Sequence, residues 1–172
     1  MEEITYRPIG VIRSPFSERK GMPIQPIGAL GVRGSIELRP DLAPGLKDLQ
    51  GFSHLILLYH FHESEGYSLE VQPFLDDKTH GIFASRAPLR PNPIGLSVVR
   101  LVSVEEDVVH IEDVDILDGT PLLDIKPYIP EFDSKPEATS GWLGGRAAQA
   151  RDVRADERFW RPTPESETEP PK

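Results

Sequence analysis

The 172-residue sequence contains no cysteine, only two tryptophans and two methionines, and 19 basic residues against 28 acidic ones. Without cysteine there are no disulfides, thiolate zinc sites, iron–sulfur clusters or cysteine nucleophiles, so any metal would have to be held by histidines and carboxylates. Long apolar runs are missing as well. The longest, LILLY at residues 55–59, is strand-sized and far short of the roughly 20 residues of a membrane-spanning helix, so no membrane partner is expected. A net charge of −9 excludes broad, non-specific nucleic-acid binding, which depends on phosphate contacts, but leaves room for a local basic patch. The first residues, MEEITYRPIG, carry acids where an export signal carries basic residues, which makes the cytoplasm the expected location.

What is abundant is punctuation. Eighteen prolines and fourteen glycines separate short segments of strand character: residues 9–12, 36–38, 54–61, 68–71, 81–84, 96–104 and 108–116. Residues 54–61 read as a strand buried on both faces, and Glu105-Glu106-Asp107 reads as a hairpin turn. Seven or eight strands with no alternating helix predict an all-β protein, a sandwich or a small closed β-barrel. Residues 44–49 predict a single helical turn. Residues 145–160, GRAAQARDVRADERFW, predict a short C-terminal helix. On it Arg151, Arg154, Arg158 and Arg161 share one face, either meeting phosphate or simply solvated among Asp152, Asp156 and Glu157. The tail PTPESETEPPK has the composition of a disordered segment. The expected organisation is a barrel domain over residues 1–140, a helical extension over 141–161 and a tail over 162–172.

Few constellations carry chemistry. Gly28, Gly31 and Gly34 miss both the dinucleotide and the P-loop spacings. His60 and His62, two apart on a strand, point to one face and with Glu65, Glu70 or His110 make a cupin-like metal barrel the alternative reading, although the glycine and asparagine context of cupin motifs is missing. No G-x-S-x-G elbow supports a serine nucleophile. The segment RAPLRPNPIGLS, residues 86–97, is distinctive. Ala87, Arg90 and Asn92 each precede a proline and are pushed towards extended backbone, while Pro88, Pro91 and Pro93 have no N–H to give a sheet. Arg86, Arg90 and Asn92 thus sit on a stiff rim, either as a preorganised binding site or on a rigid connector.

Taken together, IGVIRSPF (9–16), Gln25-Pro26, GFSHLILLYHFH (51–62), GIFASRAPLRPNPIGLSVVRL (81–101) and DGTPLLDIKPYIPEFD (118–133) resemble the TrmO family, also called TsaA-like or YaeB-like. The resemblance implies a dimeric β-barrel methyltransferase that uses S-adenosylmethionine to methylate N6 of threonylcarbamoyladenosine beside the tRNA anticodon. It assigns cofactor contacts to Pro26, Ile27, Gly28, His62, Glu63, Arg86, Leu96 and a strand running through Glu112, Asp113, Val114 and Asp115. Within that set Arg86 suits a carboxylate, and Glu63 or Asp115 suits an ammonium or ribose hydroxyls. Arg90 and Lys126 are the candidates for the carboxylate of the acceptor base, with Asn92 and Asp124 orienting neighbours. Asp118 and Tyr128 are the candidate proton acceptors, and no metal is expected. The resemblance also brings departures. Bacterial members often carry a further C-terminal domain, and Glu63 stands where an amide is expected.

Overall fold

The computed structural model describes residues 2–159. Eight strands are present among them: β1 (Gly10–Arg13), β2 (Arg33–Leu38), β3 (His54–His60), β4 (Glu70–Val71), β5 (His80–Gly81), β6 (Ile94–Glu105), β7 (Val108–Glu112) and β8 (Thr120–Pro127). Six of them close an antiparallel barrel in the order β1-β2-β7-β6-β3-β8, with β8 returning to β1, and β4 and β5 form a separate two-stranded sheet. Closure leaves the barrel without an unpaired edge. The small closed β-barrel expected from the sequence is therefore the observed architecture.

Alternation explains which residues fill it. Leu55, Leu57 and Tyr59 on β3 face inward, as do Gly95, Ser97, Val99 and Leu101 on β6, against Ile12, Ile36, Val109, Ile111 and Leu122. The apolar run on β3 is not buried on both faces as its composition suggested. Ile56 and Leu58 point out of the barrel and are half-buried, because a closed antiparallel sheet has one interior. The β6–β7 hairpin turns at the expected place, with Glu106 in the left-handed region at φ 55°.

Four further expectations change. The predicted strand over 108–116 stops at Glu112, because Asp113 adopts φ 68° and leaves the ladder. Residues 81–84 are mostly a 3₁₀ turn (Ile82–Ala84) rather than a strand, and the turn expected at 44–49 is a longer 3₁₀ stretch, Pro40–Leu46, followed by another at Leu49–Gly51. The C-terminal segment is a 3₁₀ helix over Gly141–Arg151, broken at Gly144 (φ 48°), and residues beyond it are extended or in turns. The helix ends at Arg151, so Arg154 and Arg158 lie beyond it and share no helical face with Arg151; Arg161 and the tail lie outside the described residues.

The long excursion between β3 and β6 has its own small core of Val71, Ile82, Ala87 and Leu89, completed by Phe159 from the C-terminal segment. Ala87 and Leu89 belong to the proline-rich stretch, so that stretch is held by burial of alternate residues as well as by its prolines. No helix among the described residues is long and apolar enough to cross a membrane.

Candidate active site

A cleft of about 920 Å³ opens at one end of the barrel, between the last residues of β3, the start of β6, the proline-rich segment and the C-terminal segment. Its floor is polar. Ser97 donates to Asp115 Oδ1 at 2.6 Å, and the Tyr59 hydroxyl lies 3.0 Å from Ser97 Oγ. A serine hydroxyl has one proton, and it is committed to Asp115, so Tyr59 donates to Ser97. The relay runs Tyr59 to Ser97 to Asp115 and ends on a carboxylate.

Sequence places that relay through register. Tyr59 is opposite Gly95 and Leu57 opposite Ser97 in the β3–β6 pair, so the Tyr59 ring folds over Gly95 to reach the next inward residue. A side chain at position 95 would collide with that ring, which accounts for a glycine inside a strand. Burial pushes the Asp115 carboxyl up to about 6, although the Ser97 bond and the Arg86 charge pull the other way. Burial, then the neighbouring Asp115 charge, raise the Tyr59 hydroxyl well above the ordinary tyrosine range. At neutral pH the floor therefore holds an ionised acid and a neutral phenol.

The walls supply the opposite charge and apolar area. Arg86 donates to Gln25 Oε1 at 2.9 Å and is exposed to the cleft. Glu63 pairs with Arg19 at 3.3 Å, and Arg19 also donates to the Glu63 carbonyl. His62 Nδ1 sits 3.4 Å from the Thr120 hydroxyl. Pro26, Ile27 and Leu96 line the apolar side, with Ile27 42% and Leu96 46% exposed. On the rim, Arg90 donates to the carbonyls of Ser85 and Ile82 at 2.9 and 3.2 Å, and its guanidinium stands 5.9 Å from the centre of the exposed Phe83 ring.

Residues 11–134 match the model of the tRNA-methyltransferase O N-terminal domain. The chain belongs to that family. It is 52% identical over 157 residues to a probable S-adenosyl-L-methionine-binding protein of Pyrococcus abyssi, covering 91% of this chain and 85% of that one. It is 36% identical over 152 residues to the tRNA (adenine(37)-N6)-methyltransferase of Escherichia coli, covering 83% of this chain and 65% of the relative. A crystal structure of TrmO superimposes with a TM-score of 0.72 at 42% identity, over 81% of this chain and 64% of that one. The chain thus spans slightly under two thirds of the last two.

Of the residues singled out from sequence, Pro26, Ile27, His62, Glu63, Arg86, Arg90, Leu96 and Asp115 line the cleft. The others stand elsewhere in the fold. Gly28 is the seat of the C-terminal segment, since a Cβ there would lie 2.9 Å from the Ala150 carbonyl oxygen. Glu112 is buried between Arg100 and Arg33 on the barrel wall. Asp113 accepts the Gly31 N–H at 2.7 Å, and Val114 is fully buried in the core. Of the four residues read as one cofactor-binding strand, only Asp115 reaches the cleft, because Asp113 turns the chain. Asp118 accepts the Ser14 N–H at 3.1 Å and braces the loop after β1. Asn92 is exposed, with its carbonyl accepting the Ile94 N–H.

Lys126 is opposite Ile56 and Tyr128 bonds through its N–H to the His54 carbonyl, so both lie towards the start of β3, away from the cleft at its end. Lys126 is exposed and paired with Asp124 at 2.7 Å. Among the described residues no three histidine or acidic side chains stand close enough to hold a metal ion, so the metal-barrel alternative finds no ligand set. Sequence reasoning missed Tyr59, Ser97, Thr120 and Trp142. The one available signal was Gly95 inside an otherwise apolar strand, which announces a close neighbour without naming it.

Proposed function

We propose that the chain is an S-adenosylmethionine-dependent methyltransferase acting on tRNA, with N6 of the threonylcarbamoyladenosine beside the anticodon as acceptor. The observation that carries this reading is the pairing, inside the matched family domain, of a cationic wall at Arg86 with an ionised Asp115 at the floor of a single cleft. The residues fit the donor. The cleft volume falls in the roughly 300–1,000 Å³ range of small-molecule sites, and acid, guanidinium and apolar surface converge on it. S-adenosylmethionine supplies a methyl group on a sulfonium, open to in-line displacement.

What the chain's own residues do follows from their chemistry. Arg86 has guanidinium N–H groups beyond the one given to Gln25 and suits a carboxylate in a charge-assisted pair. Asp115 accepts from an ammonium or a hydroxyl while Ser97 and Tyr59 hold its orientation. Leu96 and Ile27 supply apolar contact and exclude water. Alignment of two substrates in one cleft contributes much of the rate without covalent help from the protein. Arg90, fixed by two carbonyls beside Phe83, suits an acidic acceptor at the rim.

The reading includes work in the cytoplasm, where tRNA is found, and a homodimer. The exposed apolar side chains Phe83, Ile94 and Leu96 around the cleft support a second copy, and light scattering of the purified protein decides that point. The reaction is tested with labelled methyl donor on unmodified, threonylcarbamoylated and total tRNA. Transfer confined to threonylcarbamoylated molecules is expected, and no transfer to any of the three removes the tRNA acceptor.

A further inference from the structure

The matched domain ends at residue 134, yet the cleft does not. Trp142, Leu143, Ala147 and Ala150 line it from the side opposite the barrel. The segment that carries them is fastened at several separate places. Trp142 Nε1 donates to the Ala84 carbonyl at 2.7 Å, and the indole stacks on His80 at 4.3 Å. Arg146 grips Asp76 with both terminal nitrogens, at 3.0 and 3.1 Å, and His80 shares the same carboxylate at 3.0 Å. Those two partners, Arg146 first, hold the Asp76 carboxyl well below the ordinary carboxylate range. Further on, Ala155 exchanges backbone bonds with Gly21 and Met22, both 2.8 Å, and Phe159 is buried in the small core. Burying a phenylalanine contributes about 1.5–3 kcal/mol, enough with the other fastenings to keep the segment in place.

We propose that residues 141–159 are a built-in wall of the S-adenosylmethionine site, with Leu143 and Ala147 in contact with the bound donor. The inference rests on the cofactor reading above and extends the site beyond the family domain. Its physical logic is position. The segment presses on Gly28, next to Pro26 and Ile27, and reaches across to the loop that carries Arg86. Water is thereby excluded from a side of the cleft that the barrel alone leaves open. Ala147 is exposed and lines the cleft, so enlarging it fills the cleft from a position outside the barrel strands. Arg146, by contrast, acts through position alone.

Isothermal titration of the full chain with S-adenosylmethionine, beside limited trypsin digestion, tests this. Bound donor is expected to slow cleavage after Arg146, Arg151 and Arg154 at least fivefold. Ala147→Trp is expected to weaken binding at least twentyfold with an unchanged melting temperature, and Ala147→Leu, a gentler enlargement, several-fold. Arg146→Ala is expected to speed cleavage of the segment and weaken binding three- to tenfold. Unchanged affinity in both Ala147 variants, with the unaltered protein binding normally, overturns the wall and leaves the cofactor reading intact. Absence of binding by the unaltered protein overturns the cofactor reading and the wall's ligand with it.

Discussion

Ser97 donates a 2.6 Å hydrogen bond to Asp115 at the floor of the cleft, joining a residue of β6 to one that lies just past the end of β7. The bond fixes a half-buried carboxylate that faces the cleft, and burial raises its pKa from 3.8 to about 6. Since the folded-state value is above the unfolded one, the folded chain holds more protons between those limits. The stability this contributes is fully present below about pH 4 and is lost as pH rises through about 6. Asp115→Asn is accordingly expected to stabilise the protein at pH 8 by about 1–3 kcal/mol, at 1.36 kcal/mol per pKa unit, and to change little at pH 4. Thermal denaturation at both values checks this. An equal effect at the two pH values rules out the buried, ionised acid.

Arg86→Ala is expected to lower S-adenosylmethionine affinity at least tenfold while leaving the melting temperature within a degree or two. The side chain is exposed and its hydrogen bond goes to Gln25, not to the core. Calorimetric titration beside a thermal melt separates the two effects. Equal affinity in the variant would mean that the wall's cation plays no part in holding the donor.

Gly95→Ala ordinarily favours a strand, yet here it should destabilise by about 1–3 kcal/mol, the usual cost of overpacking. The added methyl meets the Tyr59 ring. Urea denaturation measures the change. Combining it with Tyr59→Leu should recover part of the loss, because the obstructing ring is then gone, whereas additive losses would place the fault elsewhere.

Lys126→Ala should leave S-adenosylmethionine affinity within twofold. Lys126 faces outward opposite Ile56 and is neutralised by Asp124; exposed pairs of this kind contribute about 0–1 kcal/mol. A tenfold loss on titration would require the cleft to reach the other end of β3.

Legibility differed between segments for physical reasons. β3 was readable as a short continuous apolar run, and β6 and most of β7 as further short apolar segments set off by turn residues. β8 was not, since Pro121, Asp124, Lys126 and Pro127 interrupt the alternation and a bulge between Leu58 and Tyr59 on its partner shifts the pairing. Asp113 looked like one more residue of a strand, and only its left-handed backbone, held by the Gly31 N–H, shows where β7 ends. The C-terminal segment had helix-forming composition, but Gly141, Gly144 and the fastening at Trp142 and Arg146 impose a tight, broken turn.

The site divides the same way. Arg86 could be singled out because prolines stiffen the chain around it, and Asp115 only because the family resemblance assigned cofactor contacts to residues 112–115. Tyr59 and Ser97 carried no local mark, being 38 residues apart and joined only by strand register.

By itself the sequence determined the absence of thiol chemistry, the all-β class, the stiffness of residues 86–97 and the family. These depend on residue type and short-range spacing, which are properties of the chain. Tertiary structure alone decided which acids meet the cleft, why position 95 has no side chain, and that Trp142, Leu143, Ala147 and Ala150 line the cleft. Those depend on contacts between distant segments, and such contacts exist only once closure of the barrel has set the register.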